Sequence, residues 1–267
     1  MSLNRASQSL RRYGPQIRQW LARTAICLAI AALYLFGALD FIERQLTSVR
    51  FQLLKSEPSG AMVVVAIDAP SLQQMPVWPW PRSWHAMVLD RLSAADADSI
   101  AIDIDLSSAS VAVEDAALSA ALARAGERAI LPVFQQRLAS SLGDLLATGP
   151  LPDFARHTRI ASANLRPDSD GIVRRMARFE SWSGVLVPTV ASAAAGLQSG
   201  DTDRYFVDFG IRAERIPTVS YVDVLRGTID PAIFAGKTVL IGATAAELGG
   251  MVTTPVGGVM PGVMVQA

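Results

Sequence analysis

The sequence has one cysteine, Cys27, and only two histidines, His85 and His157, among its 267 residues. A disulfide framework needs paired cysteines, and a structural zinc site takes its ligands from cysteine and histidine, so neither is indicated. The two histidines are far apart in the chain, which gives no support to a Ser/His catalytic triad. Hydrophobic residues make up 51% of the chain, enough to bury a large core without covalent crosslinks. We therefore predict no bound metal and no cofactor.

An excess of either charge is also missing, because 24 basic residues balance 24 acidic ones. The charges are unevenly distributed, however, since residues 1–42 contain five arginines and a single acid, Asp40. The remainder, residues 43–267, holds 19 basic and 23 acidic side chains and is mildly acidic. Nucleic-acid binding requires a basic surface, so no nucleic acid is expected as a partner.

An uncharged stretch follows the arginines. Residues 24–39 carry no charge, and extension to Ile42 gives 19 residues in which Asp40 is the one charged side chain. A membrane-spanning helix takes about 20 mostly apolar residues, so this stretch predicts a transmembrane helix at 24–42. A cleaved signal peptide and a buried core helix are the alternatives. No small-x-small cleavage site follows the stretch, and a core helix does not need five arginines before it.

The arginines also predict an orientation. Positively charged flanks stay in the cytoplasm, so residues 1–23 are expected there and residues 43–267 across the membrane. Cys27 lies inside the predicted span and leaves the exported part without a thiol, which suits the bacterial periplasm. The predicted location is the bacterial inner membrane, with the body in the periplasm. Apolar spacing over residues 40–54 predicts a helix between membrane and body, either a signal-transmitting element or an ordinary packing helix.

The body opens with the pattern of a βαβ unit. Residues 62–67 and 99–106 are short apolar runs typical of buried strands, and residues 83–97 between them are predicted to be helical. A right-handed crossover would make the two strands parallel. Further strands are predicted at 129–134, 160–165, 172–182, 205–209 and 238–241, and further helices at 113–126, 186–197 and 219–226.

Together these elements predict the fold class, an α/β, three-layer domain with a mixed, partly parallel central sheet, preceded by one transmembrane helix. Turn residues at 166–171 predict a hairpin between two of the strands, which is why the sheet should be mixed. The continuous apolar runs predict the core residues Val63, Val65, Ile67, Ile100, Ile102, Ile104, Val239 and Ile241.

Several short motifs occur in an order that resembles one protein family. They include VVVAID at 63–68, WPWPR at 78–82, AIDID at 101–105, PDSDGIVRR at 167–175, GKTVLIGATAAELGG at 236–250 and MPGVMVQA at 260–267. The ordered set covers residues 43–267 and resembles the second type of CHASE domain, the cyclase/histidine-kinase-associated sensory extracellular module of bacteria. Ala69-Pro70 departs from the family pattern, in which a polar residue more often follows the aspartate matched by Asp68.

The resemblance implies an extracytoplasmic sensory module of a membrane-bound signalling receptor. In the family, further membrane helices and a cytoplasmic output domain follow the last motif, and that domain would perform cyclic-di-GMP turnover or act as a nucleotide cyclase or histidine kinase. The expected partners are the membrane and an unknown small-molecule or periplasmic ligand, with a homodimer left open. These 267 residues are themselves not expected to form an enzyme.

The candidate ligand-binding residues lie near the predicted carboxyl ends of the two opening strands. Asp103 and Asp105 alternate on the second strand, which would place both side chains on one face. Arg82, which follows a segment stiffened by Pro79 and Pro81, is expected to pair with one of the acids. Open α/β sheets form their crevices at this edge. The predicted ligand site, without any catalytic residue, therefore consists of Asp68, Trp80, Arg82, Asp103 and Asp105.

Two other functions remain open on the residues alone. The Asp103/Asp105 pair has the oxygen ligands of a metal-dependent phosphotransferase or hydrolase, although no later acidic motif completes such a site. A periplasmic scaffold without a ligand is the second alternative. DSDG at 168–171 resembles the start of a calcium loop, but Val173 stands where an oxygen ligand is needed, so a plain turn is predicted.

Overall fold

The computed structural model describes residues 18–33, 38–75, 77–137 and 145–267. Residues 18–33 form helix α1, and helix α2 comprises Ala38–Leu53. Both belong to a first compact unit that ends at Leu53, and a second unit begins at Leu54. Within the described ranges, no helix combines the length and the apolar character needed to cross a membrane. Residues 34–37 of the predicted span lie outside the described residues.

The second unit alternates strands with short helices. Its strands are β1 (Met62–Ile67), β2 (Ser99–Asp103), β3 (Ala129–Arg137), β4 (Leu145–Thr148), β5 (Arg159–Ser162), β6 (Arg175–Ala177), β7 (Phe179–Trp182), β8 (Val185–Pro188), β9 (Arg204–Phe206), β10 (Thr218–Ser220), β11 (Thr238–Ala243), β12 (Met251–Thr254) and β13 (Gly258–Pro261). Its α-helices are α3 (Ala69–Gln74), α4 (Arg82–Ala94), α5 (Ala112–Ala125), α6 (Pro152–Ala155), α7 (Val190–Ala194), α8 (Tyr221–Arg226) and α9 (Gly262–Gln266). Short 3₁₀ helices lie at Gly126–Arg128, Ala213–Arg215, Pro231–Ile233 and Ala246–Leu248.

Seven strands form the central sheet, in the order β10-β1-β11-β2-β3-β4, with β5 also paired to β3. β4 runs antiparallel to β3, and the remaining pairs of this sheet are parallel, which confirms the predicted mixed sheet. β1 and β2 are parallel as predicted, but they are not neighbours. β11, from the far end of the chain, lies between them, so that Val65, Ile241 and Ile102 stand side by side.

Helices cover both faces of the sheet, which explains the continuous apolar runs of its central strands. One hydrophobic cluster packs alternate strand residues against α4, α5 and α8, and the second packs the residues between them against α7 and α9. This helix–sheet–helix arrangement agrees with the predicted three layers. The predicted core is confirmed, because Val63, Val65, Ile67, Ile100, Ile102, Val239 and Ile241 are buried and Ile104 packs, partly buried, against the same cluster.

The hairpin predicted across residues 166–171 is wrong. The turn itself is present, since Gly171 has a positive φ and its N–H donates to the Asp168 carbonyl at 2.9 Å. The flanking strands nevertheless pair elsewhere, β5 with β3 and β6 with β9. Turn chemistry fixes only the local chain reversal, whereas β5 gains more by burying Ala161 in the sheet.

Several element boundaries also differ from prediction. The strand predicted at 99–106 ends at Asp103, the strand predicted at 205–209 is β9, and the helix predicted at 219–226 begins as β10. The strand predicted at 172–182 divides into β6 and β7, and the helix predicted at 186–197 begins as β8, which forms a hairpin with β7. Ser183 and Gly184 make this two-residue turn, both with the positive φ that such hairpins require.

Ile102→Ala is expected to lower the free energy of unfolding by about 2–5 kcal/mol, because Ile102 is almost completely enclosed in the core. Chemical denaturation of the purified chain measures this change. Val113→Ala, at an exposed position of α5, is the matched control and should change the value by less than about 0.5 kcal/mol. Equal unfolding midpoints for Ile102→Ala and the parent chain would contradict this core.

Candidate functional site

Asp68 follows β1 directly and caps the amino end of α3. Its Oδ1 accepts hydrogen bonds from the Ser71 N–H at 2.9 Å, the Ser71 hydroxyl at 2.6 Å and the Ser220 hydroxyl at 2.8 Å. Asp and Ser side chains at such caps satisfy backbone donors that the first helical turn leaves free. Asp68 therefore ties β1, α3 and the end of β10 together.

Trp80 is buried at the end of the loop that leads into α4. Its indole N–H donates to the Met75 carbonyl at 3.0 Å, and its ring stacks on Tyr221 with the centroids 4.7 Å apart. The Tyr221 hydroxyl lies 2.7 Å from Nδ1 of buried His85. Burial, and after it the positive charge of Arg82, lowers the pKa of His85 to about 4, so this imidazole is neutral at neutral pH. Trp80, His85 and Tyr221 therefore form a buried aromatic cluster.

Arg82 was expected to pair with one of the acids of the predicted site, and this expectation is wrong. Its Nη1 lies 2.5 Å from Asp115 Oδ1 in α5, and its Nη2 donates to the Ser108 carbonyl. The guanidinium also stands over the Phe154 ring, 5.2 Å from its centroid. Arg82 is the first residue of α4, and this position brings it to the amino end of α5 instead of the ends of β1 and β2.

Asp103 and Asp105 do not share a strand face. β2 ends at Asp103, and exposed Asp105 accepts a hydrogen bond from the Ser107 N–H at 2.9 Å in the loop that follows. Asp103 faces α9, where Gln266 Nε2 donates to its Oδ2 at 3.4 Å. Burial raises the pKa of Asp103 to about 6. In the part of the chain that the structure describes, no group of three or more His, Cys, Asp or Glu side chains is arranged to hold a metal.

The polar members of the predicted site thus find their partners outside the set. These partners are Ser71 and Ser220 for Asp68, Asp115 and Ser108 for Arg82, Gln266 for Asp103, and Ser107 for Asp105. The ligand-binding role of the five residues stays a prediction.

A second cluster, which the sequence did not indicate as a site, surrounds a cleft of about 380 Å³ between the small sheets. We call it the arginine cleft. Its lining residues are Gln135, Asn164, Arg166, Arg175, Met176, Ala177, Phe179, Glu180, Ser181, Thr202 and Arg204. The available signal in the sequence was the dense run of charges at 166–175, which holds three arginines and two aspartates.

Asp168 lies behind this cleft with its side chain only 2% exposed. Its Oδ1 is 2.9 Å from Arg175 Nη2 and 3.4 Å from Arg204 Nη1, and its Oδ2 is 3.5 Å from Nη1 of the buried Arg174. Asp170 contributes a second carboxylate to Arg174 at 2.9 Å. The DSDG segment is therefore a turn whose acids anchor arginines.

Glu180 anchors the other wall of the arginine cleft. It accepts hydrogen bonds from the Ser162 hydroxyl at 2.5 Å and from Asn164 Nδ2 at 3.1 Å, and Arg166 Nε lies 2.8 Å from its second oxygen. A buried carboxylate with this many donors is held in one orientation.

A larger cavity, about 530 Å³, lies beside the beginning of β1. Residues 55–60 line one side and residues 264–267 of the α9 segment line another. Met176 borders both this cavity and the arginine cleft, and Gln266, the partner of Asp103, also borders the cavity.

Asp103→Asn tests the cost of the buried carboxylate. The pKa of Asp103 is about 6 in the folded chain and about 4 in the unfolded chain. Between these pH values the unfolded chain loses the Asp103 proton while the folded chain retains it. The contribution of Asp103 to the free energy of unfolding of the parent should therefore fall across this window, by up to about 3 kcal/mol. The variant lacks this loss, so its Tm relative to the parent should be higher at pH 7.5 than at pH 4.

Thermal unfolding at both pH values measures this difference, and all groups common to the two chains cancel in it. Asp105→Asn makes the same change at an exposed position and is the matched control. A Tm difference between Asp103→Asn and parent that is the same at pH 4 and pH 7.5 would contradict the interpretation.

Comparison with protein families gives one result that covers nearly the whole chain, a match of the CHASE2 domain model to residues 25–267. Comparisons with curated proteins and with solved structures gave no match. CHASE2 domains are an extracellular sensory domain family of signalling proteins, and the domain is sensory instead of catalytic. Because the match covers most of the chain, including helix α2, the central sheet and the arginine cleft, the chain belongs to the CHASE2 domain family.

Proposed function

We propose that the chain is the sensory input module of a bacterial membrane-bound signalling protein. In this proposal residues 24–42 anchor it in the inner membrane, residues 1–23 lie in the cytoplasm and residues 43–267 in the periplasm. Ligand binding to the body regulates a cytoplasmic output domain for cyclic-di-GMP turnover, nucleotide cyclisation or histidine phosphorylation. The observation that carries the proposal is the family membership over residues 25–267.

The first unit supports the membrane anchor. Helix α1 leaves large apolar side chains exposed, and such surfaces occur where a protein meets a membrane or a partner. They are Trp20, Leu21, Ile26, Leu28, Ile30 and Leu33. The arginines that precede and begin this helix supply the positive flank of a cytoplasmic end.

The ligand site predicted at Asp68, Trp80, Arg82, Asp103 and Asp105 belongs to the proposal as its first candidate. A ligand there would have to replace existing contacts, such as the ion pair of Arg82 with Asp115. The arginine cleft is the alternative candidate.

The metal-dependent phosphotransferase or hydrolase that the sequence left open finds less support. Such an enzyme would need Asp103 and Asp105 on one metal, whereas Asp103 faces Gln266 and Asp105 lies in a separate exposed turn. Asp103→Asn would remove a measured turnover if this alternative were right. A scaffold without a ligand predicts instead that no small molecule shifts the Tm in a saturable way.

The membrane orientation gives a direct test. Alkaline phosphatase fused after residue 267 should be active, because the enzyme folds only outside the cytoplasm and residues 24–42 are expected to export the body. Fusion after Arg23, which omits the span, is the matched control and should be inactive. The orientation would be contradicted if alkaline phosphatase fused after residue 267 were inactive and green fluorescent protein fused at the same junction were fluorescent.

The regulatory part of the proposal has a separate test. The reading frame that encodes the chain should continue beyond Ala267 into further membrane helices and a signalling output domain. A stop codon directly after Ala267 would contradict the regulatory role while leaving the orientation result intact.

A further inference from the structure

Three arginines and one acid line the arginine cleft, so its wall has an excess of positive charge. The acid, Glu180, is already engaged by Arg166 and by two neutral donors. Arg204 is committed as well, because its Nη2 donates to the carbonyls of Arg166 at 2.7 Å and Arg175 at 2.9 Å. These contacts fix the walls of the cleft.

Arg175 has N–H donors that remain available to a ligand. Its Nη2 reaches Asp168 at 2.9 Å, yet its side chain is 40% exposed, and a guanidinium has five N–H donors. The Arg175 guanidinium lies over the Phe206 ring, 5.8 Å from its centroid, and this contact restricts the orientation of the guanidinium. Arg166 also lines the cleft and is half exposed. Its Nε lies 2.8 Å from Glu180 and its Nη2 donates to Gln135 Oε1 at 3.3 Å, so part of its five N–H donors remains for a ligand.

The buried polar atoms without a hydrogen-bond partner point to the same place. Within the described residues, two of the six such atoms, Arg174 Nε and Arg175 Nε, are N–H donors of this network. A third, Asp168 Oδ2, is an acceptor that lies 3.5 Å from Arg174 Nη1. Because buried polar atoms are nearly always hydrogen-bonded, the two unused donors indicate that the arginines here have more N–H groups than the neighbouring acids accept.

We propose that the arginine cleft binds a small organic carboxylate, whose carboxylate group bridges Arg175 and Arg166. The fork of a guanidinium matches a carboxylate with two parallel hydrogen bonds. The volume of about 380 Å³ lies at the lower end of the range of small-molecule sites.

The remaining walls favour a carbon skeleton over a bare inorganic anion. Met176, Ala177 and Phe179 supply apolar surface that phosphate would leave unfilled. Gln135, Ser181 and Thr202 add neutral hydrogen-bonding groups. Glu180 and Asp168 stand close to the arginines and would repel a doubly charged phosphate more than a singly charged carboxylate group.

This site deepens the proposed function, since occupancy would be the signal only if the chain is a sensor. Binding itself does not depend on that role or on membrane orientation. A failure of the binding experiment would therefore leave the fusion and reading-frame results standing, and the reverse also holds.

The test uses the purified full chain and thermal unfolding followed by tryptophan fluorescence. The probes are acetate, succinate, citrate and glutamate, with succinamide as the uncharged counterpart of succinate, and inorganic phosphate and sodium chloride at matched ionic strength. At least one carboxylate should raise the Tm in a saturable way, whereas succinamide and sodium chloride should not.

Arg175→Gln should weaken the affinity for that carboxylate about tenfold or more, because a charged hydrogen bond is lost. Arg178→Gln is its matched control, since Arg178 is exposed, stands over Tyr205 and does not line the cleft. Arg178→Gln should bind like the parent chain.

A second pair of variants avoids disturbing the ion pairs. Thr202 is an exposed residue of the cleft wall, and Thr202→Glu adds a repelling carboxylate without removing an arginine contact. Thr202→Glu should weaken binding, and Thr202→Gln, of similar size but uncharged, should retain it. This pair keeps the proposal testable if Arg175→Gln fails to fold.

Four outcomes would overturn the proposal. No carboxylate exceeds the effect of sodium chloride, phosphate alone raises the Tm, succinamide acts like succinate, or a carboxylate binds equally well to Thr202→Glu and the parent. In the last case, loss of binding in Asp103→Asn would return the ligand to the carboxyl ends of β1 and β2.

Discussion

β11 is inserted between β1 and β2, and this strand order governs which helices and side chains meet at the carboxyl edge of the sheet. Val239 and Ile241 enter the hydrophobic cluster on one face of the sheet, and Leu240 enters the cluster on the other. Gly242 leaves no room for a side chain, because a Cβ there would lie 2.7 Å from Val263 Cγ2. α9 can therefore pack directly on β11, and this close packing brings Gln266 to Asp103.

The same insertion separates Asp68 from Asp103, which the sequence predicted to lie together at one edge of the sheet. Asp103 stands level with Gly242 and Ala66, so Asp68 lies two strands across from Asp103 and two residues further along. Neighbouring strands are about 4.8 Å apart, so the two acids do not meet. Asp68 is hydrogen-bonded to Ser71 and Ser220, and Asp103 to Gln266. Buried polar groups require such partners. The polar side chains at the carboxyl edge of the sheet are therefore already used in a helix cap and in hydrogen bonds between elements.

Partly exposed arginines with N–H donors left for a ligand lie in the arginine cleft, beside the small two-stranded sheets. There the motif of residues 167–175 brings acids and arginines together over a few residues, and Arg204 joins them from β9. Positive charge exceeds negative charge along the arginine cleft, and part of each network is exposed to solvent. A site whose polar groups are all satisfied gains little from a ligand, which is why we propose the cleft as the ligand site.

The sequence by itself determined the α/β class, the strands 62–67, 129–134 and 238–241 within short limits, and the buried residues at their centres. It could do so because an apolar run of this length must be covered on both faces whatever its neighbours are. Only the tertiary structure decided that β11 separates β1 from β2, that β5 joins β3 instead of forming a hairpin, and that Arg82 pairs with Asp115. Strand order and charge pairing depend on contacts between distant segments, and no local pattern encodes which of several suitable partners will be nearest.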